Sequence, residues 1–486
     1  MTLRAEWLKP GLTAIWLMAI VSALPQLAGL SRIAVAAPVT PLWRTIAQIL
    51  LLTPLLLMIF ADRKKGWRTQ AGDVFLLICI VLYAHLPSPF FDYIWDVCLI
   101  EATFVYLVSR SLQLTESWRH WHVWPMRLLL FKLMFSMGVI KYLHGMPEWR
   151  NGTALTFFWA NQPMPGYLAW YAAQLPVGAQ KVMSALVFMA EIPGPFLLFC
   201  GPKARKLFFL MNLILQLGIF VTGNYGWFNL LTIVVSFSLF EPRQNLAISK
   251  QEFAAERGKL ISVAKVWGLA VLTCWLMTSA WYQYAVFFPG TRNLPETSWV
   301  FLKNPEQEAL PKPLLALLQV FAAAKASNPY ALFGHISKYR MEIELWGSYD
   351  RREWKKYRFK IKPDETDRAP IWYAPHHWRL DHQLYYESFR IRAPQLTQRY
   401  SFFLGNAWMK NFLRALFYND ESVTALFGEN PFAHRAPQFL QLRYKYYAFT
   451  DAAEWRLTGN YWKNDTPHAG QFFAEPFSLH ELGRLP

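Results

Sequence analysis

Only four cysteines occur in the 486 residues, Cys79, Cys98, Cys200 and Cys274. All four fall inside apolar runs, so the C-terminal part has no disulfide framework. There is no CxxC pair either, which excludes thiol–disulfide exchange by the usual dithiol motif. Enzyme signatures are equally scarce: no HExxH, no GxSxG, no phosphate-cradling glycine loop and no dinucleotide fingerprint. His144, His376, His377 and His382 have no companion cysteine. HHxxxDH (His376 to His382) therefore reads as an aromatic-rich turn with solvated imidazoles before it reads as a metal centre. No metal and no cofactor is expected. Charge is thin as well, 17% against 54% hydrophobic and 17% aromatic residues, which excludes an ordinary soluble domain.

What is present in quantity is apolar sequence. Runs near 11–30, 45–61, 72–89, 93–109, 127–145, 183–201, 207–222, 226–240 and 261–287 approach or exceed the length that crosses about 30 Å of hydrocarbon. They predict a polytopic α-helical membrane protein with about nine transmembrane helices. Basic residues orient it: Arg4 and Lys9 before the first run, Arg63, Lys64, Lys65 and Arg68 after the second, then Arg110, Arg119 and Arg127. Lys203, Arg205 and Lys206, and later Arg243, Lys250, Arg257 and Lys259, continue the series, while 86–92 and 223–225 carry no Lys or Arg. The alternation puts the N-terminus in the cytoplasm, with an odd number of spans. Everything after about residue 289 is then periplasmic or lumenal. The formal charge of +17 is accounted for by the inner loops facing anionic membrane lipid, and no nucleic-acid partner is expected. A second reading of the first run is a signal peptide ending at AVAAP, Ala34 to Pro38.

Three segments follow: N-terminal spans (1–70), a membrane core (71–288) and an extracytoplasmic C-terminal domain (289–486). Met341, Ile343 and Leu345 alternate with Glu342, Glu344 and Trp346, and Tyr357, Phe359 and Ile361 alternate with Arg358 and Lys360. These read as two strands joined by a polar turn. Gln441 to Thr450 reads as another strand, Leu380 to Phe389 as a helix, and 407–427 as a helical pair broken at Asn419–Asp420. The expectation is a β-rich α+β module with its own core.

The most unusual stretch is 146–182, a loop dense in Trp, Gly, Pro, Asn and Gln between spans. Such a loop is costly unless buried in protein or laid at the interface. Charges at membrane depth form the second set: Asp96, Glu101, Lys141 and Glu191. A lysine in hydrocarbon needs a carboxylate, and Glu101 or Asp96 is the expected partner of Lys141.

These segments resemble one known family, the lipase maturation factors, from about residue 73 onward. Trp95, Asp96 and Glu101 carry a likeness to "WD-x-LL-x-E-x-GFL", and Lys132, Gly138 and Lys141 to "LLFRLMFGAGLIKL". Trp149, Arg150, Thr153, Gln162, Pro163, Pro165, Ala169, Trp170, Tyr171 and Pro176 resemble "WR-x-LTA-x-x-x-HYETQPLPNPLAWYAHQLP", although FWAN replaces HYET. In the C-terminal part, Ala374, Pro375, His376, Arg379, Leu380, Asp381 and Gln383 resemble "APHQPRLDWQMWFAAL". The first seventy residues show no such likeness.

The resemblance implies a membrane-embedded folding factor, or chaperone, for protein maturation. Animal members of the family sit in the endoplasmic reticulum, where the lumenal C-terminal region supports folding of dimeric lipases. Compactness and the absence of cysteines from the outer domain suggest a bacterial inner-membrane member, whose secreted or periplasmic clients need not be lipases. Implied functional-loop residues are Trp149, Arg150, Gln162, Pro163, Pro165, Trp170 and Tyr171; implied client-binding residues are Trp372, His376, Arg379 and Asp381. A more distant likeness, of Lys141, Trp149 and Gly152 to the membrane core of the vitamin K-dependent gamma-carboxylases, implies an alternative: an enzyme using Lys141 as base beside Glu101 and Asp96.

Overall fold

The computed structural model describes residues 5–35, 41–61, 67–110, 112, 121–242, 259–287, 311–388, 407–464, 472–473 and 476–484. Arg4, Arg63, Lys64, Lys65, Arg119, Arg243, Lys250 and Arg257, on which the charge-based orientation rests, lie outside them, as do Ala36 to Pro38 and the boundary at 289. Each long apolar run is helical, because a helix satisfies its backbone groups within the segment. In chain order the helices are α1 (Leu8–Ile33), α2 (Pro41–Ala61), α3 (Trp67–Ala84), α4 (Ile94–Ser109), α5 (Trp124–Leu143), α6 (Pro147–Arg150), α7 (Ala154–Asn161) and α8 (Tyr167–Ala173). They continue with α9 (Val177–Glu191), α10 (Pro202–Thr222), α11 (Phe228–Ser236), α12 (Lys259–Phe287) and α13 (Lys312–Ala323).

Among the described residues, three helical stretches are long and apolar enough to cross a membrane: Ala5–Ile33, Val177–Phe199 and Pro202–Thr222. Not every expected span has that character. Helix α4 has 16 residues and rises about 24 Å, short of about 30 Å of hydrocarbon. All its side chains except Tyr106 are buried, and a helix apolar all round belongs inside protein. Helix α11 is shorter still, with 9 residues.

The stretch expected as a loop from 146 to 182 is largely helical. It folds as α6, α7 and α8, and α9 already begins at Val177.

The C-terminal region contains a small antiparallel sheet of β1 (Arg340–Ser348), β2 (Lys355–Tyr357), β3 (Phe439–Phe449), β4 (Trp462–Asn464) and β5 (Phe472–Phe473). The order is β2-β1-β3-β4, with β5 also on β3, and the central register pairs Arg340 with Tyr447 and Ser348 with Phe439. The helices of this region are α14 (Arg379–Ser388), which packs on β1, α15 (Ala407–Phe417), α16 (Glu421–Thr424), α17 (Ala452–Thr458) and α18 (Leu479–Arg484). The break expected at Asn419–Asp420 is there: Asn419 has φ +48° and Asp420 caps α16, accepting from Ser422 N and Val423 N.

The alternation on β1 is not the expected half-wet one. Glu342 and Glu344 are buried along with Met341, Ile343 and Leu345. They are tolerated because they are paired, Glu342 with Lys362 at 2.7 Å and Glu344 with Lys356 at 2.9 Å. The buried apolar side chains of the sheet join one cluster that runs back into α1, α3, α4 and α5. Helices α15 and α16 pack against α1, and Gln26 of α1 donates to His377 O and accepts from Arg379 N, at 2.8 and 2.9 Å.

Candidate functional site

Buried charge clusters around Asp96, Glu101 and Asp92 fasten the C-terminal region to α4 and the turn before it. The first joins Asp96, in the first turn of α4, to Arg379 at the start of α14. The guanidinium donates to both carboxylate oxygens at 2.8 and 2.9 Å, and Tyr83 OH donates to Asp96 Oδ1 at 2.8 Å. Neither charged group has measurable exposure. Arg379 also donates to Phe90 O and lies 3.8 Å over the Phe91 ring. Burial works against its charge, but the adjoining carboxylate outweighs that and holds its pKa above the ordinary value.

The second pair centres on Glu101, two turns along α4. Its carboxylate accepts from Lys132 Nζ at 2.7 Å, Trp275 Nε1 at 2.9 Å, Tyr330 OH at 2.7 Å, and Asn328 N and Nδ2 at 2.9 and 3.1 Å. Five donors from α5, α12 and the segment after α13 crowd the roughly four lone-pair sites of one carboxylate, so no acceptor position is left over. The third pair is Lys325 with Asp92, at 2.7 Å.

Lys141 is not part of either carboxylate site. The expected pairing with Glu101 or Asp96 is replaced by Glu191 of α9, whose oxygens lie 2.7 and 2.8 Å from Nζ, with Met137 O at 3.3 Å. The helix geometry selects this partner: a Cβ on Gly138 of α5 would stand 2.6 Å from Ile192 Cγ1 and 2.8 Å from Glu191 Cβ, so only glycine admits so close an approach. Nζ is thus surrounded by three acceptor oxygens, two of them on one carboxylate.

The loop residues meet the sheet through Arg340, at the start of β1. Its guanidinium donates to Ala160 O at 2.9 Å, Gln162 O at 2.6 Å and Pro163 O at 2.9 Å, and it faces the rings of Tyr385 and Trp462. Gln162 donates to Thr222 O at 3.1 Å and accepts from Tyr225 OH at 2.8 Å. A Cβ on Gly223 would collide with that Gln162 amide oxygen, so glycine is required beside it. Asn224 extends the junction by donating to Met164 O and Ile371 O and accepting from Tyr373 N and Ala374 N. Pro163 and Pro165 are buried in the junction. Trp170 is buried too and donates to Thr450 Oγ1 at 3.3 Å, Trp149 donates to Phe333 O at 2.7 Å, and Arg150 binds Tyr142 O at 3.0 Å. Tyr171 faces outward.

Of the four residues expected to meet a client, two are interior. Arg379 serves Asp96, and Asp381 is buried, accepting from Ile361 N and Lys362 N at 2.8 and 3.1 Å. His376 is half-buried, and Trp372 is 46% exposed. The imidazoles of His377 and His382 are not solvated but fully buried, with ring centres 4.6 Å apart. Burial, then Arg379 and Arg340, push His382 down to about 3. Among the described residues no group of three or more His, Cys, Asp or Glu side chains is placed to hold a metal ion. Sequence reasoning missed Lys132, Lys325, Asn328, Tyr330 and Arg340 as partners. Lys325 and Lys132 stand out only as cations inside apolar sequence, and nothing local marks Arg340.

Comparison with known proteins agrees with this two-part construction. Residues 44–246 match the family described as "Lipase maturation factor transmembrane domain", and residues 326–471 match "Lipase maturation factor C-terminal domain". The first match begins well before residue 73, so part of the N-terminal stretch that shows no motif likeness belongs to the family domain. Lipase maturation factor 2 of Gallus gallus is 28% identical over 470 residues, covering 78% of this chain and 64% of the relative. Lipase maturation factor 2 of Xenopus laevis is 25% identical, covering 83% of this chain and 69% of its own length. Lipase maturation factor 1 of Homo sapiens is 25% identical, covering 84% and 70% respectively. The chain thus spans about two thirds of the length of these relatives. No solved structure matches it.

Proposed function

The chain belongs to the lipase maturation factor family, and from that premise we propose that it is a membrane-embedded maturation factor assisting the folding or assembly of secreted proteins, with lipase-like clients. It crosses the membrane several times, an odd number, from a cytoplasmic N-terminus and holds its C-terminal region in the periplasm or an organelle lumen. The observation that carries the reading is the junction at Arg340. One side chain of the sheet binds three consecutive-region carbonyls of the loop between the spans, at Ala160, Gln162 and Pro163. Loop and C-terminal region therefore act as a single rigid platform fixed to the membrane core, which is what a factor working on translocated chains requires. Isolated exposed apolar side chains on that platform, such as Tyr339, Tyr418 and Leu457, offer contacts to partly folded clients.

An enzyme using Lys141 as base has less support. Its amine is spent on Glu191 and Met137 O, away from Glu101 and Asp96. The test is photo-crosslinking in native membranes, with a photoreactive amino acid at Tyr339, Tyr418 or Leu457 of the full chain and a co-expressed secreted lipase. Crosslinks to the lipase at one or more of these positions are expected. Their absence at all three, with the protein folded and inserted, would remove client binding from this face.

A further inference from the structure

Helix α8 presents the wrong side chains for a helix washed by water. Ala169 and Trp170 turn inward, while Tyr167, Leu168, Tyr171 and Leu175 are exposed. Beside it, Ile371 and Trp372 form an exposed apolar corner. The two are held together at one point. Gly166 N donates to Thr222 O at 2.9 Å, Trp372 Nε1 donates to Phe220 O at 2.7 Å, and a Cβ on Gly166 would stand 3.5 Å from the Trp372 ring. Phe220 and Thr222 are the last turn of α10, one of the three helices long and apolar enough to span.

The patch also runs toward another of them, with Gln174 and Lys181 the polar residues at its margin. From α8 the chain passes through Leu175 to Val177, the first residue of α9, whose outer face carries Val177, Val182, Leu186 and Met189 exposed. Exposed aliphatic residues on α9 and α10 face lipid if these helices span. An exposed apolar patch continuous with that surface, and containing Tyr and Trp, has the composition of the bilayer interface, where amphipathic rings sit at headgroup level. A short helix with one apolar face and one face packed on protein lies in that plane.

We infer that α8 and the Ile371–Trp372 corner form an interfacial anchor, resting on the outer leaflet and holding the sheet region at a fixed height above it. The occupant of this face is a lipid surface, not a client protein. Trp372 thereby leaves the set of client-binding residues. The inference rests on the membrane-embedded reading above but not on the identity of any client.

Spin labels report on it directly. Leu168→Cys, Tyr171→Cys and Ile371→Cys, all at exposed positions, are made in a cysteine-free full-length chain alongside Leu457→Cys, which is 87% exposed on α17. Each is labelled and reconstituted into nanodiscs of neutral and anionic phospholipid, without any client. Collision rates with oxygen and with a water-soluble nickel chelate are then measured. The oxygen-to-nickel ratio at 168, 171 and 371 is expected to exceed that at 457 several-fold. Ratios at 168, 171 and 371 as low as those of a label in free water would overturn the inference, because the patch would then face water. Low rates with both relaxants at 168, 171 and 371 would overturn it too, since protein would cover the patch. A crosslinking failure at Tyr339, Tyr418 and Leu457 would leave these ratios untouched, so the two readings fail separately.

Discussion

Asp96 and Arg379 are 283 positions apart in the chain, yet their charged groups meet with two hydrogen bonds of 2.8 and 2.9 Å and no exposure to solvent. The pair joins the first turn of α4 to the first turn of α14 and is one of the buried contacts that membrane core and C-terminal region share. Removing one partner leaves a charge without its counterpart, at a typical cost of about 3–5 kcal/mol. Asp96→Asn and Arg379→Gln should each lower the unfolding midpoint of the purified protein sharply. The double variant should lose much less than the sum of the two, and additive losses would show that the charges do not depend on each other.

Glu101 collects five donors, two of them from Asn328 and one from Tyr330. A glutamine has one acceptor oxygen and brings two donors of its own into a site that needs acceptors only. Glu101→Gln should therefore loosen the segment 325–330. Hydrogen exchange of its amides should rise by at least tenfold, about 1.4 kcal/mol of local opening. Unchanged protection there would mean that packing alone holds the segment.

Lys141 and Glu191 form an isolated pair between α5 and α9. Lys141→Ala alone strands the Glu191 carboxylate, so loss of function in that variant would not identify a base. The informative variant is Lys141→Met with Glu191→Leu, which replaces a buried ion pair by apolar side chains of similar size, a change that is often neutral or stabilising. Client maturation by the double variant should match the wild type within about twofold, a difference of roughly 0.4 kcal/mol. Complete loss with normal insertion would return Lys141 to catalysis.

The His377–His382 pair makes stability depend on pH. His382 is pushed from an ordinary value near 6.5 to about 3 by burial, with Arg379 and Arg340 adding to it; His377 is pushed down by burial, by His382, Arg379 and His376. Below pH ~6.5 the unfolded chain takes up protons that the folded chain refuses, so stability falls as pH falls toward 3, by up to about 1.4 kcal/mol per pH unit for each histidine. Unfolding midpoints from pH 7.5 to 5.0 should decline, and His382→Leu should flatten the decline. A wild-type midpoint that does not move over this range would contradict the buried neutral pair.

Much of the fold is legible in the sequence because it depends on local rules. The alternation of Met341, Ile343 and Leu345 and of Gln441 to Thr450 marks β1 and β3, and Asn419–Asp420 marks the stop between α15 and α16. The helices within 146–182 are short and punctuated by Pro and Gly, so no period survives to announce them. The site is legible in its members but not in its pairings. Asp96, Glu101 and Lys141 stand out because charge at membrane depth is expensive. Their partners Arg379, Lys132 and Glu191 come from 283, 31 and 50 positions away. Only the packing of α4, α5, α9 and α14 decides which cation meets which carboxylate. The same holds for Glu342 and Glu344, whose alternation reads as a wet face until Lys362 and Lys356 are seen to cover it.

The decisive measurement is the specific activity of a secreted lipase made in cells with and without this chain, at matched amounts of lipase protein. A maturation factor raises activity per molecule secreted while leaving synthesis unchanged. Identical specific activity in the two cell lines, with the chain folded in its membrane, would contradict that function for lipase clients.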